Sequence, residues 1–368
     1  LLYTNNSPDT LHEVFFHLYF NAFQPGSMMD VRSRNIADPD RRVGERISEL
    51  SDAEIGYHKI NMLTQNGKQV NFDLTETVMK VELSEAILPG AVTTFNLDFE
   101  SQVPVQIRRS GRNNAEGIDY TMTQWYPKMA MYDEDGWHPD PYVGREFYAD
   151  FGSFDVNVSI QDDYVLCGTG TLTNREGIWE KKKEKKGISS FAMVRSKAEK
   201  RIWKFHAENV HDFAWAADPE YIYKSTPGPD GLELNFYYLK ENKEAWEKLP
   251  AYTVEFFELM NKHFGKYAYP QFSCIQGGDG GMEYPMCTML KGTGDAEGLA
   301  SGVMVHESAH NWYYGMLGSN ESQYPWMDEG FTSFAEYELL KMMGFEGHEN
   351  PHAKAYRAYA SVVKKGVE

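Results

Sequence analysis

The chain has 368 residues, of which 42 % are hydrophobic, so it is long enough to bury substantial cores and to form about two domains. Its formal net charge of −18 argues against nucleic acid and against an anionic membrane surface as partners. The three cysteines could form at most one disulfide, and no apolar run approaches the length of a transmembrane segment. We recognise no signal peptide and expect residues to be missing at both ends, because the chain starts as if within a strand and stops inside a helical pattern.

The first 217 residues are predicted to be rich in β-structure. Short runs at residues 14–18, 78–83 and 95–99 alternate apolar and polar side chains and are separated by turn residues. This regular spacing indicates an antiparallel sandwich or a saddle-shaped sheet. The periodicity changes near Pro219, where we place a domain boundary after residue 217.

Residues 218–368 combine strands with longer helical patterns, which predicts an α+β domain. A helical pattern covers residues 241–264 and is ended by Gly265. The glycine-rich run at residues 277–281 is not predicted to be a phosphate-binding loop, because no helix and no Lys-Ser/Thr pair follow it. It is better explained as a flexible turn that lets residues 282–284 run close to a substrate backbone.

The strongest motif in the chain is H-E-x-x-H, formed by His306, Glu307 and His310 in an apolar run without proline. Residues four apart lie on one helical face, so both imidazoles can point at one metal ion while Glu307 lies beside it. Imidazole suits zinc, and a catalytic zinc needs three protein ligands and an open position for water. The alternative is a buried helix with two hydrogen-bonded histidines.

A third ligand is predicted at Glu329, which follows His310 after eighteen intervening residues and lies where a second helical pattern begins. Glu336 lies two turns further along the same face and is expected to orient a ligand histidine. A second H-E-x-x-H match at residues 348–352 contains Pro351, which opposes a helix there. We therefore interpret that copy as a loop without a metal.

These motifs resemble those of the gluzincins, in particular the family of aminopeptidase N and leukotriene hydrolase. The likeness covers H-E-x-x-H, the eighteen-residue spacing to the glutamate of D-E-G-F, and the upstream G-G-M-E-Y, which is similar to the family's G-x-M-E-N. The resemblance implies an α+β multidomain fold, with a β-rich saddle or sandwich at residues 1–217. A thermolysin-like catalytic domain, truncated at its C-terminal end, would follow at residues 218–368.

The resemblance also implies an activity, namely hydrolysis of N-terminal residues from peptides with one zinc ion per chain. Glu307 would be the general base for a water molecule activated by the zinc. Glu283 would bind the free amino terminus of the substrate, and Gln124 of the β-rich domain would line the same site; an ordinary strand end is the alternative for Gln124. Gly280, Gly281 and Met282 would contact the substrate backbone. Tyr284 departs from the family's asparagine and leaves open how the backbone beside Glu283 is held.

Two other functions are compatible with the same residues. The chain could be a zinc endopeptidase in which Glu283 is structural, or a peptide-binding scaffold of the same fold without turnover. The tyrosine that the family uses to stabilise the oxyanion would lie beyond residue 368. Similarity to bacterial members with a G-G-M-E-Y-P stretch favours the cell envelope, the periplasm or secretion. The sequence does not give the oligomeric state.

Overall fold

The computed structural model describes residues 1–36, 42–144, 148–278, 280–292, 294–345, 350 and 352–365. The chain forms two compact units. Unit 1 comprises Leu1–Gly152 with His211–Trp215, and unit 2 comprises Ser153–Val210 with Ala216–Glu368. Residues 153–210 thus group in space with the second half of the chain. The domain boundary after residue 217 stays a prediction.

In its described residues, unit 1 consists mainly of antiparallel strands, with one α-helix, α1 (Met28–Asn35), and short 3-10 turns. Within its described residues, two four-stranded sheets have the strand orders β1-β7-β3-β4 and β10-β2-β6-β5. The strands are β1 (Leu2–Thr4), β2 (Leu11–His17), β3 (Tyr57–Gln65), β4 (Lys68–Gln69), β5 (Asn71–Thr75), β6 (Val78–Ile87), β7 (Val92–Gln102), β8 (Gly111–Arg112), β9 (Tyr120–Met122), β10 (Lys128–Met129), β11 (Tyr132–Asp133) and β12 (Gly136–Trp137).

The core of unit 1 follows from the alternation seen in the sequence. Val14 and Phe16 of β2, Met79 and Val81 of β6 and Phe95 of β7 are fully buried in one cluster. Because side chains alternate between the two faces of a strand, residues two apart face the same core. The strands expected at residues 14–18, 78–83 and 95–99 are therefore confirmed.

The strands from residue 152 onwards are β13 (Gly152–Gln161), β14 (Val165–Gly168), β15 (Thr171–Leu172), β16 (Trp179–Lys185), β17 (Ile188–Met193), β18 (Lys200–Val210), β19 (Trp215–Asp218), β20 (Ile222–Pro227), β21 (Glu233–Tyr238), β22 (Gln271–Gln276), β23 (Gly281–Tyr284) and β24 (Cys287–Leu290). The α-helices in the described residues of unit 2 are α2 (Arg175–Ile178), α3 (Lys243–Trp246), α4 (Leu249–His263), α5 (Ala296–Leu299), α6 (Val305–His310), α7 (Phe331–Met342) and α8 (Ala353–Lys364).

A mixed sheet organises unit 2. In the part of the chain that the structure describes, it has seven strands in the order β16-β17-β20-β21-β22-β24-β23. Strands β21, β22 and β24 run parallel, and β23 returns antiparallel to β24 as the last strand at that edge. This edge strand carries the G-G-M-E-Y motif, so its backbone lies where an extended peptide could pair with it.

Helices pack against this sheet around one apolar core. Trp246, Phe256, Phe257 and Met260 are fully buried there, together with Val305 of α6. The single helix expected at residues 241–264 is instead two helices, α3 and α4. Pro250 explains the break, because proline lacks an amide donor and is tolerated only in the first turn of a helix. The chain is thus β-rich with a helical C-terminal part.

Among the helices of the described residues, none combines the length and the apolar character needed to cross a bilayer.

Candidate metal centre

The H-E-x-x-H motif lies on a continuous helical stretch that contains α6. Wider π-helical turns flank α6 on both sides, at Ala300–Met304 and at Asn311–Met316. Such turns are rare and often occur at functional sites. The apolar residues Met304, Val305 and Ala309 fix the helix in the core of unit 2, because all three are fully buried. The opposite face of α6 therefore carries the polar residues.

Three side chains meet on this polar face. The Nε2 atoms of His306 and His310 are 3.1 Å apart. The Oε2 atom of Glu329 lies 3.4 Å from Nε2 of His306 and 3.7 Å from Nε2 of His310. His310 is almost completely buried, whereas the Glu329 side chain is 59 % exposed. The structure thus brings together the three ligands predicted from the sequence.

The spacing of these three atoms can be compared with the geometry of a metal site. In tetrahedral zinc coordination with ligand distances of about 2.1 Å, neighbouring ligand atoms lie about 3.4 Å apart. The observed separations of 3.1, 3.4 and 3.7 Å lie on either side of that value. The residues present therefore fit a zinc ion with one remaining coordination position.

The outer nitrogens of both imidazoles contact carboxylates. Nδ1 of His306 lies 3.0 Å from Oε2 of Glu336, the residue expected to orient a ligand histidine. Nδ1 of His310 contacts Oδ1 of Asp328 and lies 3.2 Å from Oγ1 of Thr332. An Nδ1–H donated to a carboxylate leaves the Nε2 lone pair directed at the metal position.

Asp328 and Thr332 were missed by the sequence reasoning. Both are completely buried, and they lie one helical turn apart on the element that carries Glu329. This element begins with a π-helical turn at Trp326–Gly330 and continues as α7. The i, i+4 spacing of two polar residues next to the ligand glutamate was the available signal.

The electrostatics of the site favour a cation. Burial lowers the pKa of His306, but hydrogen bonds to Glu329 and Glu336 and the charge of Glu307 raise it to about 11. Burial likewise lowers the pKa of His310, but the charge of Glu283, the hydrogen bond to Asp328 and the charge of Glu307 raise it to about 9. Several carboxylates thus surround two imidazoles and stabilise positive charge there.

Glu307 packs against the edge strand β23. A Cβ atom added at Gly281 would lie 2.0 Å from Oε1 of Glu307 and 2.8 Å from Cγ1 of Val303. Only glycine leaves room for the carboxylate at this place. The glycine run before β23 also uses backbone conformations that favour glycine, with φ of 83° at Gly278 and 124° at Gly280.

The other motif residues of β23 lie in the interior of unit 2. Glu283 is only 5 % exposed, and its Oε1 lies 3.7 Å from Nδ1 of His310. Met282 and Tyr284 are also buried, and Tyr284 is completely inaccessible to solvent. Where the family has asparagine, the chain thus places an aromatic ring in the core.

Gln124 belongs to unit 1. It is buried, has a left-handed backbone conformation with φ of 48°, and directs Nε2 towards Oδ2 of Asp212 at 3.4 Å. Asp212 also accepts from Nζ of Lys128 at 2.8 Å and from the hydroxyl of Tyr126 at 3.0 Å. These contacts fix the conformation of Gln124, and its part in substrate binding stays a prediction.

Most of the second H-E-x-x-H match lies outside the described residues, namely positions 348, 349 and 351. His352 is described, and its Nε2 lies 2.8 Å from Oε1 of Glu338. The absence of a metal at this copy stays a prediction.

No protein-family model matches the chain. Leucine aminopeptidase 2 of Ajellomyces capsulatus is 23 % identical over 183 residues, which cover 48 % of this chain and 28 % of that protein. Leucine aminopeptidase 2 of Aspergillus niger is 26 % identical over 125 residues, covering 32 % of this chain and 18 % of that protein. The chain thus spans less than a third of the length of either relative.

Solved structures of the same fold cover nearly the whole chain. An M1 zinc metallopeptidase of Deinococcus radiodurans matches with a TM-score of 0.59 and 14 % identity over 98 % of this chain and 69 % of that one. A mutant M1 zinc metallopeptidase from the same organism, bound to a Tyr-Ser-Ala substrate, matches with the same score and identity. The chain therefore has the fold of the M1 zinc metallopeptidases. The resemblance noted in the sequence is confirmed at the level of the fold.

Proposed function

We propose that the chain is a zinc-dependent aminopeptidase that removes N-terminal residues from peptides. The observation that carries this proposal is the set of three ligand atoms from His306, His310 and Glu329, spaced as tetrahedral zinc requires. The fold supports it, because the structural neighbours are M1 zinc metallopeptidases and the distant curated relatives are leucine aminopeptidases.

His306, His310 and Glu329 would hold a single zinc ion, and residues 218–368 would form a thermolysin-like catalytic domain. When bound, zinc supplies a Lewis acid that polarises a carbonyl and lowers the pKa of water to about 7. Asp328 and Glu336 keep the proton of each imidazole on Nδ1, so that both Nε2 lone pairs stay available.

Glu307 acts as the general base in this proposal. Its carboxylate accepts a proton from the attacking water and passes it to the amine that leaves when the peptide bond breaks. Its contact with Gly281 places it beside the edge strand, along which the substrate backbone would run. Gly280, Gly281 and Met282 would then contact the substrate through their backbone.

Glu283 gives the preference for a free amino terminus. A carboxylate about 4 Å from an ammonium group, at an effective dielectric constant of about 20, contributes about 4 kcal/mol. This free energy corresponds to about three orders of magnitude in affinity for a free over a blocked amino terminus.

A second candidate is a zinc endopeptidase in which Glu283 is structural. One observation favours it, because Glu283 is 5 % exposed and lies 3.7 Å from Nδ1 of His310. In that case Glu283 would support the ligand histidine rather than bind the substrate. A binding scaffold is disfavoured, because a scaffold does not need a base at Glu307.

The test compares two substrates of the zinc-loaded protein. An amino acid p-nitroanilide with a free amino group is expected to be cleaved at least 100-fold faster, in kcat/KM, than its N-acetylated counterpart, and chelation of zinc should abolish cleavage. Glu307→Gln should retain bound zinc and lose hydrolysis. Equal cleavage of both substrates would favour the endopeptidase, and full activity of Glu307→Gln would rule out the mechanism.

A further inference from the structure

The hairpin that carries Glu283 has an unusual turn. Strands β23 and β24 pair from Gly281↔Leu290 to Tyr284↔Cys287, so only Pro285 and Met286 connect them. Met286 has φ of 63°, a left-handed conformation that residues with a side chain rarely adopt. A turn with proline first and a left-handed second residue normally has glycine or asparagine at that second position. The chain has methionine instead, so contacts from outside the hairpin must hold the turn.

Three such contacts hold the backbone of Met286. Its N–H donates to Oδ1 of Asn311 at 2.9 Å. Its carbonyl oxygen accepts from Nε2 of Gln271 at 3.2 Å and from the backbone N–H of Ser273 at 3.1 Å. Met286, Asn311, Gln271 and Ser273 are all at least 96 % buried. Water therefore cannot replace these hydrogen bonds without opening the structure.

Of the three residues that hydrogen-bond to the backbone of Met286, Asn311 alone lies outside the sheet that contains the hairpin. Gln271 and Ser273 belong to β22, within the same sheet as the hairpin. Asn311 directly follows the metal-binding histidine His310 at the end of α6. Within the described residues its Nδ2 atom has no hydrogen-bond partner, so the Asn311 side chain contacts the hairpin through the acceptor Oδ1. This hydrogen bond joins the metal-binding helix to the hairpin.

The position of β23 relative to α6 matters for the chemistry of the site. At one end of the strand, the backbone of Gly281 packs against the Glu307 carboxylate. Two residues further on, Glu283 lies 3.7 Å from Nδ1 of His310. A shift of the strand by an ångström or so would change both distances, and displacements of that size matter in active sites.

We infer that Asn311 is a positioning residue that fixes β23 against the metal-binding helix and thereby sets the preference for a free amino terminus. It acts through Met286 and does not touch the substrate. This inference rests on the proposed function, since it assumes that Glu283 binds the substrate ammonium group.

The test measures the specificity ratio, which is kcat/KM for a free-amino p-nitroanilide divided by kcat/KM for its N-acetylated counterpart. Asn311→Leu removes the acceptor at similar volume and is expected to lower this ratio at least tenfold, mainly by raising KM for the free-amino substrate. Asn311→Ser withdraws the acceptor without adding volume and should act in the same direction. Asn311→Asp keeps the acceptor and should stay within threefold of the parent protein. Bound zinc, measured by elemental analysis, should be unchanged in all three variants.

A second measurement uses the turn itself. Met286→Gly makes the left-handed conformation intrinsically favourable, so Asn311→Ser should change the ratio less than threefold in that background. Binding is followed independently of turnover in Glu307→Gln protein by calorimetry with a free-amino dipeptide. Asn311→Ser should weaken this binding at least tenfold and leave an acetylated dipeptide unaffected.

The inference is wrong if Asn311→Ser leaves the ratio unchanged, if Asn311→Asp lowers it as much as Asn311→Ser does, or if Met286→Gly does not reduce the effect. Failure of the proposed function looks different. In that case the parent protein with zinc would not hydrolyse either substrate, or would cleave both equally.

Discussion

Gly281→Ala tests whether the edge strand positions Glu307, the proposed catalytic base. The added Cβ atom would lie 2.0 Å from Oε1 and 2.6 Å from Cδ of Glu307. Ordinary van der Waals contact begins at 3.4 Å, so the carboxylate has to move by about 1.4 Å (3.4 minus 2.0). Cγ1 of Val303 would also lie 2.8 Å from the new Cβ and has to shift slightly, but the larger displacement is that of the Glu307 carboxylate.

The expected loss follows from this displacement. A misplacement of about 1 Å can reduce the rate about 100-fold, and general-base catalysis contributes about 100-fold to 10,000-fold in total. We therefore expect kcat/KM of Gly281→Ala to fall about 100-fold, which corresponds to about 2.7 kcal/mol of lost transition-state stabilisation. The atoms nearest to the new methyl group do not belong to His306, His310 or Glu329. The zinc affinity of Gly281→Ala should therefore stay within about threefold of that of the parent protein.

The assay is steady-state hydrolysis of a free-amino p-nitroanilide at a fixed zinc concentration, with zinc content and thermal unfolding measured in parallel. Gly302→Ala is the matched control, because a Cβ added there meets nothing within 4 Å and alanine is favoured in a helix. It should keep full activity. If Gly281→Ala keeps more than a third of the parent activity, Glu307 does not depend on β23, and the proposed path of the substrate along that strand loses its support.

Three further predictions concern other buried polar groups. Asp328→Ala should weaken zinc binding about 10-fold to 100-fold in a competition titration, because it removes the carboxylate that contacts Nδ1 of His310; unchanged affinity would mean that Thr332 suffices. Burial lowers the pKa of His58 to about 3. Between pH 6.5 and pH 3 the unfolded state therefore binds more protons than the folded state, so this histidine lowers the free energy of unfolding as the pH falls through that range. The free energy of unfolding, measured in urea, falls when the pH is lowered from 7 to 4.5, and this fall should be about 2–3 kcal/mol smaller for His58→Phe than for the parent protein. Equal falls in the two proteins would contradict the lowered pKa of His58. Lys128→Met should destabilise the protein by about 3–5 kcal/mol, because it leaves the buried carboxylate of Asp212 without its cation, and a double change that also replaces Asp212 by Leu should recover much of that loss.

The grouping of the candidate metal-binding residues could be predicted in part from the sequence because these residues obey helical periodicity. His306 and His310 are four residues apart, and Glu329 and Glu336 are seven apart, so a local rule places each pair on one face. The packing of the two helices against each other is not a local property. Glu329 was predicted from the helical pattern that begins there, and the family resemblance supported that prediction. The strands of unit 1 were predictable for the same reason, since Val14, Phe16 and their partners alternate with period two.

The contacts between elements could not be predicted from periodicity. Nothing in the local sequence around Asn311 shows that its side chain accepts a hydrogen bond from Met286, 25 residues away. The steric need for glycine at Gly281 likewise arises only because Glu307 of another element packs against it. Such contacts depend on how the sheet edge and the helix pack, which is set by the whole core of unit 2. The π-helical turns around α6 were also missed, because the apolar pattern there is that of an ordinary helix.

Glu283 separates the two candidate activities, and its neighbours favour one of them. A structural role would require Glu283 to accept the proton on Nδ1 of His310. A neutral imidazole that binds a metal through Nε2 has one proton to donate at Nδ1. Asp328 contacts that nitrogen more closely than Glu283, which lies 3.7 Å away. The orienting role is therefore already filled by Asp328, and a second carboxylate is not needed to hold the ring. In the proposed aminopeptidase, the ammonium group of the peptide would meet the buried Glu283 carboxylate as an opposite charge.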